Sequence, residues 1–319
     1  MSGADPWPWR SPPLARTPGY IDLMTTSPAF GRVLSAMVTP MLPDGSIDLD
    51  GVRQVARHLV DHGHDGIVVN GTTGESPTTT DDEKAELVRL VRETVGDGVH
   101  VVAGVGTNDT RHTIELAGQA ADAGADGLLV VTPYYNKPPV AGLEAHFRAV
   151  ADATELRVML YDIPGRAGVP IPTDLLVRLA DHPRIVAVKD AKGDLWAATK
   201  VQRATDLQWY SGDDVANFSH LALGAVGIVS VVAHVAGDAY AEMVGAIQGG
   251  DVERGREIHR RLVPVVDAVM NVTQGAIMTK AALVELGVIA HADVRLPLVP
   301  ATDDQAEIVR SGLRSSGLM

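Results

Sequence analysis

The chain has no cysteine, and that single absence removes disulfides, thiolate metal sites and cysteine nucleophiles together. The fold must then be held by packing, and the reducing cytoplasm is the default compartment. Aromatic residues make up only 4% of the 319 positions, while hydrophobic residues reach 45%. A core built from Val, Leu, Ile and Ala suits layers of strands and helices. No block of Lys or Arg stands out, because 40 acidic residues against 27 basic ones leave a net charge of -13. That balance argues against nucleic acid and anionic membrane as partners. No apolar run reaches the roughly 18 residues that a membrane-spanning helix needs.

Residues 1–30 are rich in Pro and carry Trp7 and Trp9, with neither the apolar run of a signal peptide nor a helical or strand period. They are read as a disordered extension outside the fold. From Val33 onward, short apolar runs alternate with longer amphipathic ones, and each apolar run ends in a polar or Gly-rich turn. Eight such runs occur, at residues 33–39, 66–70, 101–105, 127–132, 157–161, 185–189, 208–211 and 227–231. Between them lie helix-length segments, the clearest opening at Thr80 with Glu83 three residues on, a capping box.

A weak internal repeat supports the same picture. Asp61-His62-Gly63-His64-Asp65-Gly66-Ile67-Val68-Val69 returns as Asp122-Ala123-Gly124-Ala125-Asp126-Gly127-Leu128-Leu129-Val130. The spacing is that of two βα units of about 30 residues each. Eight βα units over residues 31–250 point to a (β/α)8 TIM barrel rather than an open sheet. Beyond that the strand signals stop, and residues 252–268, 274–287 and 302–313 read as helices of a small C-terminal helical domain covering 251–319.

In such a barrel the chemistry belongs to the carboxyl ends of the strands. The sixth run, Ile185-Val186-Ala187-Val188-Lys189-Asp190, carries apolar β-formers straight into a lysine. Held in apolar surroundings, that lysine loses solvation of its ammonium form, so its pKa falls and a neutral amine can attack a carbonyl carbon. Otherwise it is a strand-end lysine reaching into water.

The second strand ends in Asn70-Gly71-Thr72-Thr73-Gly74-Glu75-Ser76, whose glycines, hydroxyls and N–H groups suit a carboxylate or simply cap the next helix. The fourth ends in Pro133-Tyr134-Tyr135-Asn136, with phenols for proton transfer or for packing. The fifth ends in Tyr161, followed by Arg166 in a Gly-flanked loop, where a guanidinium can bind a carboxylate in fork fashion. His58, His62 and His64 are spaced as metal ligands can be, but helix-end histidines beside a glycine are more often solvated, and no metal is expected. Gly104-Val105-Gly106 lacks the third glycine of a dinucleotide fingerprint, and no P-loop lysine is present.

Taken in order, Gly71-Thr72-Thr73-Gly74-Glu75-Ser76, Pro133-Tyr134-Tyr135-Asn136, Tyr161 with Arg166, and Val188-Lys189-Asp190-Ala191 closely resemble the dihydrodipicolinate synthase family. The resemblance continues through Ser211-Gly212-Asp213-Asp214, Gly227-Ile228-Val229-Ser230 and Arg295-Leu296-Pro297. It implies that Lys189 forms a Schiff base with pyruvate, that Thr73 holds the pyruvate carboxylate and that the Val229 carbonyl lines the pocket. Thr72, Tyr161 and Tyr135 would relay protons, with Tyr135 entering the neighbouring subunit's site. Arg166 would receive the carboxylate of L-aspartate 4-semialdehyde.

The resemblance also implies a homo-oligomer, a tetramer built as a dimer of dimers, acting in lysine and diaminopimelate biosynthesis in the cytoplasm with no metal or organic cofactor. Asp162, Gly165 and Ala167 stand where many members carry Asn, Ser and Thr. Other readings are a pyruvate-dependent aldolase of the same superfamily, such as N-acetylneuraminate lyase or a 2-keto-3-deoxy sugar acid aldolase, and a non-catalytic keto-acid-binding barrel. Thr72, Tyr135 and Arg166 argue against the first, and the retention of Lys189 and Tyr161 argues against the second. In lysine-inhibited members, two histidines and a glutamate surround the effector, whereas Asp81, Lys84 and His112 occupy those positions here.

Overall fold

In the computed structural model, which describes residues 27–319, eight parallel strands close into a barrel in the order of the sequence. They are β1 (Val33–Ala36), β2 (Gly66–Val69), β3 (His100–Gly104), β4 (Gly127–Val131), β5 (Arg157–Asp162), β6 (Ile185–Asp190), β7 (Gln208–Ser211) and β8 (Gly227–Ser230). β8 pairs back onto β1, with Leu34 opposite Val229, and the sheet has no free edge. Five of the apolar runs overshoot the hydrogen-bonded strands by one to three residues, where their last members leave the ladder at the barrel mouth, while the fifth and sixth stop one residue short of the strand end.

The helices are α1 (Leu49–Asp61), α2 (Asp81–Val95), α3 (Thr110–Asp122), α4 (Val140–Asp152), α5 (Pro164–Ala167), α6 (Thr173–Leu179), α7 (Leu195–Ala204), α8 (Asn217–Ala222) and α9 (Ala233–Gln248) around the barrel. α10 (Val252–Met270), α11 (Gly275–Glu285) and α12 (Asp303–Ser315) form the C-terminal helical region. The capping box forms as the sequence asks, with Glu83 N–H donating to Thr80 Oγ1 at 3.2 Å and Thr80 N–H to Glu83 Oε2 at 2.8 Å.

The internal repeat maps onto the ends of α1 and α3. Gly63 and Gly124 take φ of 83° and 91°, a region that glycine enters without penalty, and the next strand starts three residues later. The repeated aspartates have a second duty. Asp65 accepts from the N–H groups of Arg32 and Val33, and Asp126 from Val101, so each anchors the start of a neighbouring strand.

The core has two layers. Leu34, Val68, Val102, Leu129, Met159 and Ala187 fill the barrel, and a larger aliphatic layer separates the sheet from the helices. The inner layer is closed from below by Phe30, which is fully buried and packs at a 6.4 Å centroid distance from Tyr210. A side chain at Gly127 would come within 2.3 Å of the Phe30 ring, so β4 must begin with glycine there. Residues 29 and 30 are thus inside the fold, two positions before the boundary read from the sequence. A lone Phe in a Pro-rich context has no periodicity to reveal it. The expectation of disorder for residues 1–26 lies outside the described residues.

Among the described residues no single helix is long and apolar enough to cross a membrane. α11 is buried along nearly its whole length in the angle between α9, α10 and α12.

Candidate active site

Residues alternate between the two faces of a strand, so Met159 and Tyr161 of β5, and Ala187 and Lys189 of β6, all turn into the barrel. Met159, Tyr161 and Ala187 belong to the inner core. Tyr161 and Lys189 are register partners, and Lys189 Nζ lies 4.2 Å from the centre of the phenol ring. Lys189 is 4% exposed. Loss of solvent pushes its pKa down to about 7, the nearby Arg166 adds to that push, and the Asp214 carboxylate opposes it. Burial raises the Tyr161 phenol to about 12, so it stays protonated as a donor. Gly212 leaves the room that the lysine needs, since a side chain there would meet Lys189 Cγ at 2.7 Å.

Above this pair opens a cavity of about 510 Å³, with Thr72, Tyr135, Tyr161 and Arg166 among its walls. The Gly71 to Ser76 turn is closed on itself, with Gly74 N–H donating to Gly71 O and Glu75 N–H to Thr72 O, both at 3.1 Å. Thr39, in the loop after β1, pins it by donating to Gly74 O at 2.8 Å. The Gly104-Val105-Gly106 sequence proves to be a packing device: side chains at Gly104 and Gly106 would strike the backbones of Asn70 and Val131 at 2.4 and 2.5 Å.

Tyr135 sits at the rim with 86% of its surface exposed and a left-handed φ of 73°. Arg166 is exposed on α5, a single turn closed by Gly168 N–H donating to Pro164 O, and it makes no ion pair among the described residues. Thr73, Lys189 and Val229 are buried and do not line the cavity itself; Val229 turns its side chain into the inner core. Four of the seven residues singled out from the sequence therefore share one cavity, and the other three belong to the buried shell around it.

Several contributors escaped sequence reasoning. Asp214 is wholly buried, accepting from Val231 N–H at 2.8 Å, Val232 N–H at 3.1 Å, Asn217 Nδ2 at 3.0 Å and the Ser230 hydroxyl. It fixes the end of β8 while facing Lys189 electrostatically, and only the fold brings these together. Asp162, one of the departures in the Arg166 loop, has its partner in Lys192, whose Nζ lies 3.0 Å from Asp162 Oδ2. Its other oxygen accepts from Ile171 N–H at 3.1 Å and closes the loop at its base. Burial raises the Asp162 carboxyl, and Lys192 pulls it back down.

The three histidines at and just before the repeat have backbone partners. His58 bonds His234 O at 2.8 Å, His62 bonds His58 O at 2.8 Å and His64 bonds Leu59 O at 2.7 Å. At the far side of the cavity, His112 Nε2 meets Asp81 at 2.9 Å. Lys84, also in the cavity wall, donates to Thr79 O at 2.5 Å, with Asp81 3.8 Å off.

The family model described as "Dihydrodipicolinate synthetase family" matches residues 29–315. The chain is 60% identical to the 4-hydroxy-tetrahydrodipicolinate synthase of Kineococcus radiotolerans over 91% of its own length and 94% of that protein. It superposes with a TM-score of 0.88 on the lysine-bound dihydrodipicolinate synthase of Cyanidioschyzon merolae, at 40% identity over 91% of this chain and 99% of that one. The chloride-inhibited enzyme of Acinetobacter baumannii, complexed with pyruvate, gives 0.87 at 35% identity over 92% and 100%. With the family model spanning the barrel and the C-terminal helices, and relatives this similar over nine-tenths of the sequence, the chain belongs to the dihydrodipicolinate synthetase family.

Proposed function

We propose that this chain is a 4-hydroxy-tetrahydrodipicolinate synthase, condensing pyruvate with L-aspartate 4-semialdehyde through a Schiff base on Lys189. The observation that carries the reading is Lys189 itself, buried against Tyr161 with its pKa lowered to about 7. At neutral pH a substantial fraction of such an amine is unprotonated and nucleophilic.

The neutral amine adds to C2 of pyruvate, and the carbinolamine loses water to give an imine. Tyr161, protonated and in contact with Lys189, supplies the proton that lets the hydroxyl leave. Thr73 and its N–H hold the pyruvate carboxylate, and the Val229 carbonyl lines the same pocket. Loss of a C3 proton gives the enamine, whose C3 then bonds to the aldehyde carbon of the second substrate. That substrate's amine attacks C2, closes the ring and displaces Lys189, which regains its proton balance through Tyr161, Thr72 and Tyr135. The net reaction releases one water.

Arg166, in the cavity wall and without an ionic partner among the described residues, receives the second carboxylate. The exposed Tyr135, held in a costly left-handed conformation, fits a residue completed by a neighbouring subunit rather than by its own. We therefore read the working form as a homo-oligomer whose tight dimer shares its sites, and a dimer of dimers as its full assembly. The cysteine-free sequence suits a reducing cytoplasm. Purified protein supplied with pyruvate and aspartate semialdehyde, coupled to the reductase that consumes the product, tests the reading. Turnover of 2-keto-3-deoxy sugar acids or N-acetylneuraminate in its place would overturn it.

A further inference from the structure

Glu75 and Lys280 are 205 positions apart in sequence, and they meet as a buried ion pair at 2.5 Å with exposures of 1% and 0%. Lys280 lies on α11 and also donates to Asp293 O at 2.7 Å. The second carboxylate oxygen of Glu75 accepts from Arg295 N–H at 2.9 Å. Arg295 in turn forks onto Glu83 at 2.5 and 2.7 Å and donates to Thr78 O and Gly45 O, both at 2.8 Å. The bonds to Glu75, Thr78 and Glu83 converge on the segment that follows Thr72 and Thr73.

A buried ion pair is a poor way to gain stability, because an apolar pair of the same volume often does as well or better. Its position here suggests another use. Glu75 holds a left-handed φ of 57°, which a residue with a side chain keeps only where its surroundings impose it. In that conformation its N–H bonds to Thr72 O at 3.1 Å. The Thr72 carbonyl and the Thr73 N–H belong to one planar peptide, so fixing the first aims the second.

We propose that the Glu75–Lys280 pair, braced by Arg295, is a positioning device through which the C-terminal helices orient the Thr72-Thr73 peptide toward the pyruvate carboxylate. The inference rests on the proposed reaction. Glu75, Lys280 and Arg295 touch no substrate, and they act only through the peptide they hold.

The test is the pyruvate concentration giving half-maximal borohydride trapping at Lys189, measured beside KM for each substrate. Lys280→Met and Glu75→Gln are expected to raise that concentration and the pyruvate KM by about tenfold or more, the scale on which a small misplacement acts. The KM for the aldehyde should change far less. Glu75→Gln combined with Lys280→Met removes both charges and should fold, yet still bind pyruvate weakly. Glu83→Gln keeps the helix cap but loosens the Arg295 fork, and is expected to give a smaller rise in the same direction; it decides the matter if the buried variants do not fold. Folded variants that lose thermal stability while trapping pyruvate at the wild-type concentration would reduce the pair to structural support and overturn the proposal. Wild-type protein that traps no pyruvate would overturn the proposed reaction, and this inference with it.

Discussion

Lys189 Nζ sits 4.2 Å from the centre of the Tyr161 ring, both residues projecting inward from adjacent strands at the same register. With the lysine pKa pushed down to about 7, the unprotonated fraction falls roughly tenfold per pH unit below that value. The initial rate of pyruvate trapping by borohydride is expected to rise with pH and level off above about 7. Mass spectrometry should find the three-carbon adduct on Lys189, and Lys189→Ala should abolish it. An adduct on Lys137 or Lys192, or a rate still climbing above pH 9, would contradict the assignment.

Arg166→Ala should leave that trapping nearly intact while impairing use of the semialdehyde, since only the second substrate calls on the guanidinium. Loss of one charge-assisted contact costs roughly 1.5 to 3 kcal/mol, or about 10- to 150-fold in kcat/KM for the aldehyde. Equal damage to both half-reactions would count against the role.

Much of this was legible in the residues because barrel strands are fully buried and read as continuous apolar runs. The eight runs, the helices between them and the lysine at the end of the sixth follow from period and punctuation alone. What could not be read is what depends on contacts between distant positions. Asp214 looks like any loop aspartate until the fold carries it behind Ser230 and Val231. Asp162 reads in sequence only as a departure from the family pattern, and Lys192, 30 positions later, meets it at the next strand end. Phe30 was set aside because its job is to plug a barrel, which leaves no trace in local pattern.

Acid should unfold the protein through two buried histidines. His64 is pushed down to about 3 and His234 to about 4, in each case chiefly by burial. Both are locked neutral. His64 spans Leu59 O and the Ser35 hydroxyl, while His234 donates to Val231 O and accepts from Val38 N–H. Their folded pKa values lie below the unfolded value of about 6.5, so the unfolded chain binds more protons in between. This stability is fully present above about pH 6.5, is lost progressively as pH falls below it, and the loss is complete once pH has passed through the folded values of about 4 and 3. Each histidine costs roughly 2 kcal/mol by pH 5, at about 1.36 kcal/mol per unit. A urea midpoint unchanged between pH 7.5 and 5 would exclude it.

Site sharing through Tyr135 can be tested by mixing. If Tyr135→Phe and Lys189→Ala proteins are each nearly inactive, hybrid dimers should recover activity. One site of each hybrid then pairs an intact Lys189 with the partner's intact Tyr135. Verified hybrids that stay inactive would argue that each site is complete within its own chain.

The last expectation concerns feedback by L-lysine. Asp81, Lys84 and His112 line the cavity, at the positions that the sequence resemblance assigns to the histidines and glutamate of lysine-inhibited members. Lys84 is not the free positive charge that the sequence suggests, since it is folded onto Thr79 O and lies near Asp81. The obstacle is instead the state of the carboxylate. Asp81, which stands at one of the histidine positions, already bonds His112 at 2.9 Å and faces Lys84 at 3.8 Å. To meet an incoming ammonium it must leave both. At about 4 Å, a lysine effector would also feel Lys84 as a like charge, a repulsion of roughly 1 to 4 kcal/mol in a partly solvated pocket. Activity is therefore expected to be largely insensitive to L-lysine. Half-inhibition below about 1 mM, a binding free energy near -4.1 kcal/mol, would show that Asp81 gives up its partners more readily than this geometry implies.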